Sequence, residues 1–272
     1  LTDRLTDEAE KFIEQNKARP FFLYLSYYSV HTPLQAPKER VEKYEKKPKG
    51  ERHKNATYAA MVESVDLSVG RIMRRLEKLG LTKNTVLIFT SDNGGHGKIT
   101  SHLPLRGNKG NFYEGGIRVP LIVKWPGVVK PASTCNVPVI STDYYPTLLA
   151  MTGQPARPRQ HVDGRNLVPL LKQTGTVKRD ALYWHYPNYI GAGHPGGARP
   201  CSVVRSGDWK LIESFETNRL ELFNLKEDLG EQANLAAKMP AKAKALQRQL
   251  AAWRASAKVQ MPKRNPAYKP GE

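Results

Sequence analysis

Hydrophobic positions fall into short blocks whose spacing alternates between helical and strand-like. Residues 7–15 place Ala9, Phe12 and Ile13 on one helical face. After Pro20 comes the nearly unbroken apolar run Phe21-Phe-Leu-Tyr-Leu-Ser-Tyr, the pattern of a strand covered on both faces in a parallel sheet. Residues 37–55 are highly charged and read as a solvated loop with helical pieces. Residues 57–79 predict a long amphipathic helix. Met61, Val62, Val65, Val69, Ile72, Met73, Leu76 and Leu79 recur mostly at three- and four-residue steps, and Gly80 is placed to end it. Thr85-Val-Leu-Ile-Phe-Thr and Pro120-Leu-Ile-Val-Lys-Trp predict two further strands, and residues 143–151 a helix closed by Gly153.

Alternating strands and helices predict an α/β sheet with helices on both faces, residues 1–175 forming one domain. Such sheets hold ligands beyond the carboxyl ends of their strands, where His31, Asp92 and Asn93 fall. Past Gly175 the pattern changes to short strand-like pieces at 181–186, 202–205, 209–213 and 221–225, separated by Gly, Asp and Asn turns. A helix over 241–253 follows, with Leu246, Leu250 and Trp253 on one face. Residues 176–257 therefore predict a small antiparallel sheet with one packed helix. Residues 258–272, rich in proline and basic groups, predict an extended tail.

The chain of 272 residues is long enough to bury a sizeable core without disulfides or metal. Two cysteines, Cys135 and Cys201, make no disulfide framework and leave one bridge open. No run approaches the ~20 apolar residues of a membrane-spanning helix. The formal net charge of +18 favours polyanionic partners, and sulfated polysaccharide suits it as well as nucleic acid does. No helix-turn-helix, zinc-finger or aromatic RNA-binding signature supports a nucleic-acid binder.

Three segments carry candidate chemistry. Asp92 and Asn93, a carboxylate beside an amide oxygen and followed by two glycines, suit a hard cation, although Ser-Asp-Asn-Gly-Gly is also an ordinary turn sequence. His31, in His-Thr-Pro at a strand end, can donate a proton near neutral pH; it can equally be structural. Residues 105–120 form a basic glycine-rich loop in which Arg106, Lys109 and Arg118 offer charge to a tetrahedral oxyanion. It is not a Walker A loop, since no Gly-Lys-Ser/Thr triplet occurs. His185 and His194, in a Tyr-, Gly- and Pro-rich stretch with Tyr186 and Arg199, are weaker candidates for lining a substrate pocket. Asn55-Ala-Thr57 fits a glycosylation acceptor.

Together the motifs are specific. His-Thr-Pro-Leu at 31–34, Ser-Asp-Asn-Gly-Gly at 91–95, Pro-Leu-Arg-Gly-Asn-Lys-Gly at 104–110 and Glu-Gly-Gly-Ile-Arg-Val-Pro at 114–120 follow in that order. With Asp143-Tyr-Tyr-Pro and Gly207-Asp-Trp-Lys, this text resembles the sulfatase family of the alkaline-phosphatase-like superfamily over residues 1 to about 255.

The resemblance implies an α/β/α sandwich, incomplete here. It implies one Ca²⁺ or Mg²⁺ on Asp92 and Asn93, Lys109 on the sulfate and ester oxygen, and His31 on the same oxygen as proton donor to the leaving alcohol. Glu114 and Arg118 are expected to shape the loop. A periplasmic or secreted parent is also implied. The family's nucleophile is a formylglycine made from Cys or Ser in Cys/Ser-x-Pro-x-Arg, and no such motif occurs in these 272 residues. Cys201-Ser-Val-Val-Arg205 has the right ends without the proline and reads as a strand. The family's early Asp pair, second Lys and His, and motif Arg have no counterpart either.

The expectation is a fragment that lacks the nucleophile, is inactive alone, and binds metal weakly through two ligands. The nearest alternative is a phosphatase, phosphodiesterase or phosphonate hydrolase of the same superfamily. Those two-metal relatives typically show Asp-His-Gly where this chain has Asp92-Asn93-Gly94. A non-catalytic binder of sulfated polyanions is the other.

Overall fold

The computed structural model describes residues 1–189 and 199–263. The chain opens with α1 (Thr2–Asn16), α2 (Lys38–Glu45) and α3 (Ala56–Lys78). Asn55 caps α3 by accepting from the Tyr58 amide at 2.8 Å, satisfying one of the donors that a helix start leaves unpaired.

Helices α1 and α3 pack through Ala9, Ile13, Ile72 and Leu76, with Phe21, Leu23 and Leu25 closing the cluster. Arg71 rivets the same seam, reaching Asp7 at 2.6 Å and Glu10 at 2.5 Å. The apolar stripe of α3 is wider than the surface it buries: Met61 and Ile72 are buried, whereas Val62 and Met73 lie exposed.

Residues 21–28 are extended and alternate in burial, but among the described residues no strand pairs with them. Their inner side chains sit on α1 and α3, while Phe22 (70% exposed) and Tyr24 (81%) face outward. The expectation of a strand covered on both faces is thus corrected: this segment is covered on one.

The strands β1 (Leu87–Thr90) and β2 (Leu121–Lys124) pair antiparallel, Leu87 opposite Lys124, with the short helix α4 (Glu114–Ile117) between them in sequence. The parallel arrangement expected from the apolar runs is corrected here too. Parallel neighbours are usually joined by a crossover helix, and the connection from 91 to 120 is instead the glycine-rich loop with one helical turn.

Two helices follow, α5 (Tyr144–Met151) and α6 (Val168–Leu171). Buried Asp143 anchors this region. It accepts from the amides of Ile140 (2.9 Å) and Arg165 (2.8 Å) and forms a close ion pair with Arg179.

The strands β3 (Leu182–Tyr186), β4 (Cys201–Ser206), β5 (Trp209–Ser214) and β6 (Leu220–Asn224) form an antiparallel meander in chain order. Helix α7 (Pro240–Ser256) covers one face. Side chains alternate across a strand. Val204, Leu211 and Leu222 therefore meet Ala243, Leu246 and Leu250 of α7, and Tyr183 stacks on Trp253 at 4.8 Å. Each fully buried Leu in this layer contributes about 1.5–3 kcal/mol.

The opposite face carries Cys201, Val203, Ile212 and Phe223, and on it sit Phe112 and Tyr113 of the glycine-rich loop. Both faces of β4 are thereby buried, and the Cys201–Arg205 segment is a core strand. Cys135 and Cys201 are free thiols, and burial pushes the Cys201 thiol up to about 12. No helix among the described residues is long and apolar enough to cross a membrane.

Candidate functional site

β1 delivers Asp92 and Asn93 to the surface beyond its carboxyl end, where Asp92 is exposed and Asn93 half-buried. The Asn93 amide nitrogen donates to Asp92 Oδ2 in a close hydrogen bond, in which Asp92 Oδ1 and Asn93 Oδ1 take no part.

Two backbone hydrogen bonds clamp this turn to the glycine-rich loop. The Gly94 amide donates to the Gly116 carbonyl at 2.9 Å, and the Lys109 amide donates to the Gly95 carbonyl at 3.0 Å. The fit leaves no room for side chains: a Cβ on Gly94 would lie 1.9 Å from the Gly115 carbonyl oxygen. Gly107, at φ +82°, turns the loop in a conformation that L side chains rarely adopt. Asp92, Asn93 and half-exposed Lys109 are therefore brought together by their own backbones. His31 lies apart in the chain on the exposed turn after residues 21–28, where its Nδ1 meets the Thr32 carbonyl at 2.7 Å.

The loop is held from beneath by buried charge. Lys210, the second residue of β5, is completely buried with its Nζ 3.1 Å from Glu114 and 2.9 Å from Glu231. Glu114 is 2% exposed and Glu231 fully buried. Arg205 reaches Glu114 at 3.5 Å and Arg118 reaches it at 3.8 Å. Glu231 Oε2 accepts from the Glu114 amide at 2.6 Å, satisfying a donor at the start of α4. Burial raises the Glu231 carboxyl above its usual range, with Lys210 opposing.

Tyr113 donates to Glu221 at 2.8 Å, and burial together with that carboxylate pushes its phenol up to about 12. Arg106, read from the sequence as an oxyanion ligand, turns inward instead. It donates to the Glu231 carbonyl at 2.8 Å and stacks 3.9 Å over the Tyr113 ring. Of the loop's cations, Arg106 and Arg118 thus have packing partners, as was expected only of Arg118 and Glu114.

Both ring nitrogens of His185 are engaged, Nδ1 with Ser202 Oγ at 2.7 Å and Nε2 with the Gln260 carbonyl at 2.8 Å. His194 lies outside the described residues. Sequence reading missed His102, whose Nε2 accepts the Gly95 amide at 2.8 Å, and missed Lys210 and Glu231. A histidine two residues before the Pro-Leu-Arg-Gly run was the signal available for the first. Nothing local marked the others.

The family models now bear on this geometry. The model described as sulfatase matches residues 1–154, and the one described as N-sulphoglucosamine sulphohydrolase, C-terminal, matches 108–256. The chain belongs to the sulfatase family.

A sulfatase of Formosa agariphila is 39% identical over 261 residues, covering 88% of this chain and 46% of that protein. Human steryl-sulfatase is 37% identical over 202 residues, covering 71% and 33%. The chain thus spans less than half the length of these relatives. Among solved structures, that of Ps i-CgsB in complex with k-i-k-neocarrahexaose is 32% identical at a TM-score of 0.80, covering 93% of this chain and 54% of that one. The phosphonate monoester hydrolase of Agrobacterium radiobacter is 27% identical at a TM-score of 0.58, covering 74% and 41%. The α/β class expected from the sequence holds.

Asp92 and Asn93 fit the hard cation that the family implies in the kind of donor they offer. They fall short in number, because such ions take six or more oxygens. Among the described residues no three His, Cys, Asp or Glu side chains gather to hold an ion.

Proposed function

We propose that this chain supplies one half of a sulfate-ester-hydrolysing centre, in which Asp92, Asn93, Lys109 and His31 converge on one sulfate group. The observation that supports the reading is the double backbone clamp between the 92–95 turn and the 106–116 loop, which ties the turn bearing Asp92 and Asn93 to the Lys109 backbone. Asp92 and Asn93 would help to hold one Ca²⁺ or Mg²⁺, with further oxygens from outside residues 1–272. Such an ion supplies positive charge to the sulfuryl oxygens.

The Lys109 ammonium would stabilise charge on the sulfuryl and ester oxygens, where preorganised donors are commonly worth about 3–4 kcal/mol of barrier. His31 Nδ1 faces a carbonyl, which only accepts, so Nδ1 carries a proton. In the imidazolium form Nε2 also carries a proton, and it is the atom that would hand that proton to the departing alcohol oxygen, leaving the neutral Nδ1–H ring. The nucleophilic formylglycine would come from sequence beyond this chain.

A sulfated carbohydrate or an aryl sulfate is the proposed substrate. The named ligand of the Ps i-CgsB structure, the steryl-sulfatase relatives and the net charge of +18 all support that range.

The test uses the full-length protein and 4-nitrophenyl sulfate. Lys109→Ala should lower kcat/KM by roughly 10²–10³, the effect of losing one preorganised donor. His31→Ala should lower it by about 10²–10⁴ on esters of poorly acidic alcohols and much less on the nitrophenyl ester, whose anion leaves unaided. Wild-type rates in both variants would overturn the assignment. A phosphoryl-transferring enzyme is the second reading, favoured by the likeness to the phosphonate monoester hydrolase. Faster turnover of the matched aryl phosphonate or phosphate would select it.

A further inference from the structure

The turn that carries Asp92 and Asn93 is held by an imidazole. The Gly95 amide donates to His102 Nε2 at 2.8 Å. A ring nitrogen that accepts a hydrogen bond carries no proton, so His102 is neutral with its proton on Nδ1. We propose that His102 is a positioning residue for the site: neutral, it fixes the 92–95 turn and the Lys109 backbone together, and protonated, it releases them.

The geometry makes the coupling stiff. Gly95 is bound on both sides, its amide to His102 and its carbonyl to the Lys109 amide at 3.0 Å. A Cβ there would lie 2.7 Å from Thr100 Cγ2 and 3.1 Å from His102 Nε2, so the peptide has little space into which to retreat. The next amide, Gly94, is tied to Gly116. Protonation of Nε2 would set two donors face to face, and the peptide joining the Asp92 turn to Lys109 would lose its anchor.

The surroundings favour the neutral ring. His102 is half-buried, and the nearby His53, which reaches Thr100 Oγ1 at 3.2 Å, adds like charge when protonated. The other titratable or charged groups around this loop are Tyr58 of α3, which bonds to Thr100, His96 and Lys98 on the loop itself, and Lys109 opposite. The carboxylate of this region is Asp92, three residues before Gly95 on the clamped turn, and it is exposed to solvent. Burial and His53 accordingly hold the His102 imidazole below the usual histidine value.

The inference deepens the proposed function in its activity arm, while its first test stands without it. In a proton titration of the isotope-labelled chain followed by NMR, His102 should be the Nδ1–H tautomer at pH 7. The Gly95 and Lys109 amides should shift with the same midpoint as the His102 ring, below the ordinary value, while the amide of Leu211 in β5 stays still. His102→Asn, whose side-chain oxygen accepts without titrating, should abolish that step. In the full-length enzyme the same variant should keep kcat/KM at the acidic pH where the wild type has lost most of it. An Nε2–H tautomer at pH 7, or Gly95 and Lys109 amides indifferent to the His102 titration, overturns the proposal. A full-length protein without sulfatase activity refutes the proposed function, and the amide titration still decides this one.

Discussion

Lys210→Met isolates what the buried charges beneath the glycine-rich loop contribute. Methionine matches the length and apolar stem of lysine, so the substitution removes the ammonium and little packing. In the wild type that ammonium lies 3.1 Å from Glu114 and 2.9 Å from Glu231, all three groups being buried. Glu114 would keep Arg205 at 3.5 Å, whereas Glu231 would lose the one cationic side chain paired with it among the described residues. Removing one partner of a buried ion pair costs about 3–5 kcal/mol, because the remaining charge is left without compensation. At about 2–4 °C per kcal/mol for a chain of this size class, the midpoint should fall by about 6–20 °C. Urea unfolding followed by the fluorescence of Trp184, Trp209 and Trp253 reads the loss.

Glu231→Gln in the Lys210→Met background removes the stranded charge and keeps an oxygen for the Glu114 amide. It should therefore recover stability, with a coupling of about 0.5–3 kcal/mol between the two sites. A single-variant loss under about 1 kcal/mol, the range of an exposed pair, would refute the reasoning. So would a double variant no better than the single one.

Gly94→Ala should undock the 92–95 turn, since its Cβ would collide with the Gly115 carbonyl. Gly80→Ala, at φ +69° with open space around it, should cost only the backbone strain of about 1 kcal/mol. Amide exchange at Gly94 and Lys109 distinguishes the two variants, and equal protection in both would contradict the clamp. Stability should also respond to His102. Because its folded-state value lies below the ordinary 6.5, the unfolded chain takes up the proton first as the pH falls, so the native state loses stability from about 6.5 downward until the folded ring also protonates. The wild type should weaken relative to His102→Asn across that window, and parallel stability curves would exclude the effect.

The helices and the C-terminal meander were legible in the sequence because their periodicities are local. The pattern over 57–79 gives α3 to within a residue, and the turn signals after Gly175 separate β3 to β6 in order. Pairing was not legible. Residues 21–27 and 85–90 read as buried parallel strands because apolar runs reveal coverage and not partners; one run is covered on a single face and the other pairs antiparallel with β2.

The candidate site was visible where its chemistry is contiguous, as in Asp92 and Asn93. The glycines around Lys109 implied close backbone approach, and Gly94 shows what that approach is for. What stayed hidden depends on distance along the chain. Lys210 is an ordinary basic residue in a strand until Glu114 and Glu231 meet it, and Arg106 offers its charge to solvent until Tyr113 and the Glu231 carbonyl turn it inward.

The most direct test of the shared site is paramagnetic broadening by Mn²⁺, a hard cation that occupies Ca²⁺ and Mg²⁺ positions and reports even weak binding. Added to the labelled chain in sub-stoichiometric amounts with sulfate present, it should broaden the amides of residues 92–95 and 108–110 and the His31 ring first. The amides of β5 and α7 should stay sharp, and Asp92→Ala should abolish the pattern. Broadening centred elsewhere, or a turn at 92–95 that broadens while the His31 ring and the Lys109 amide do not, would contradict a common centre.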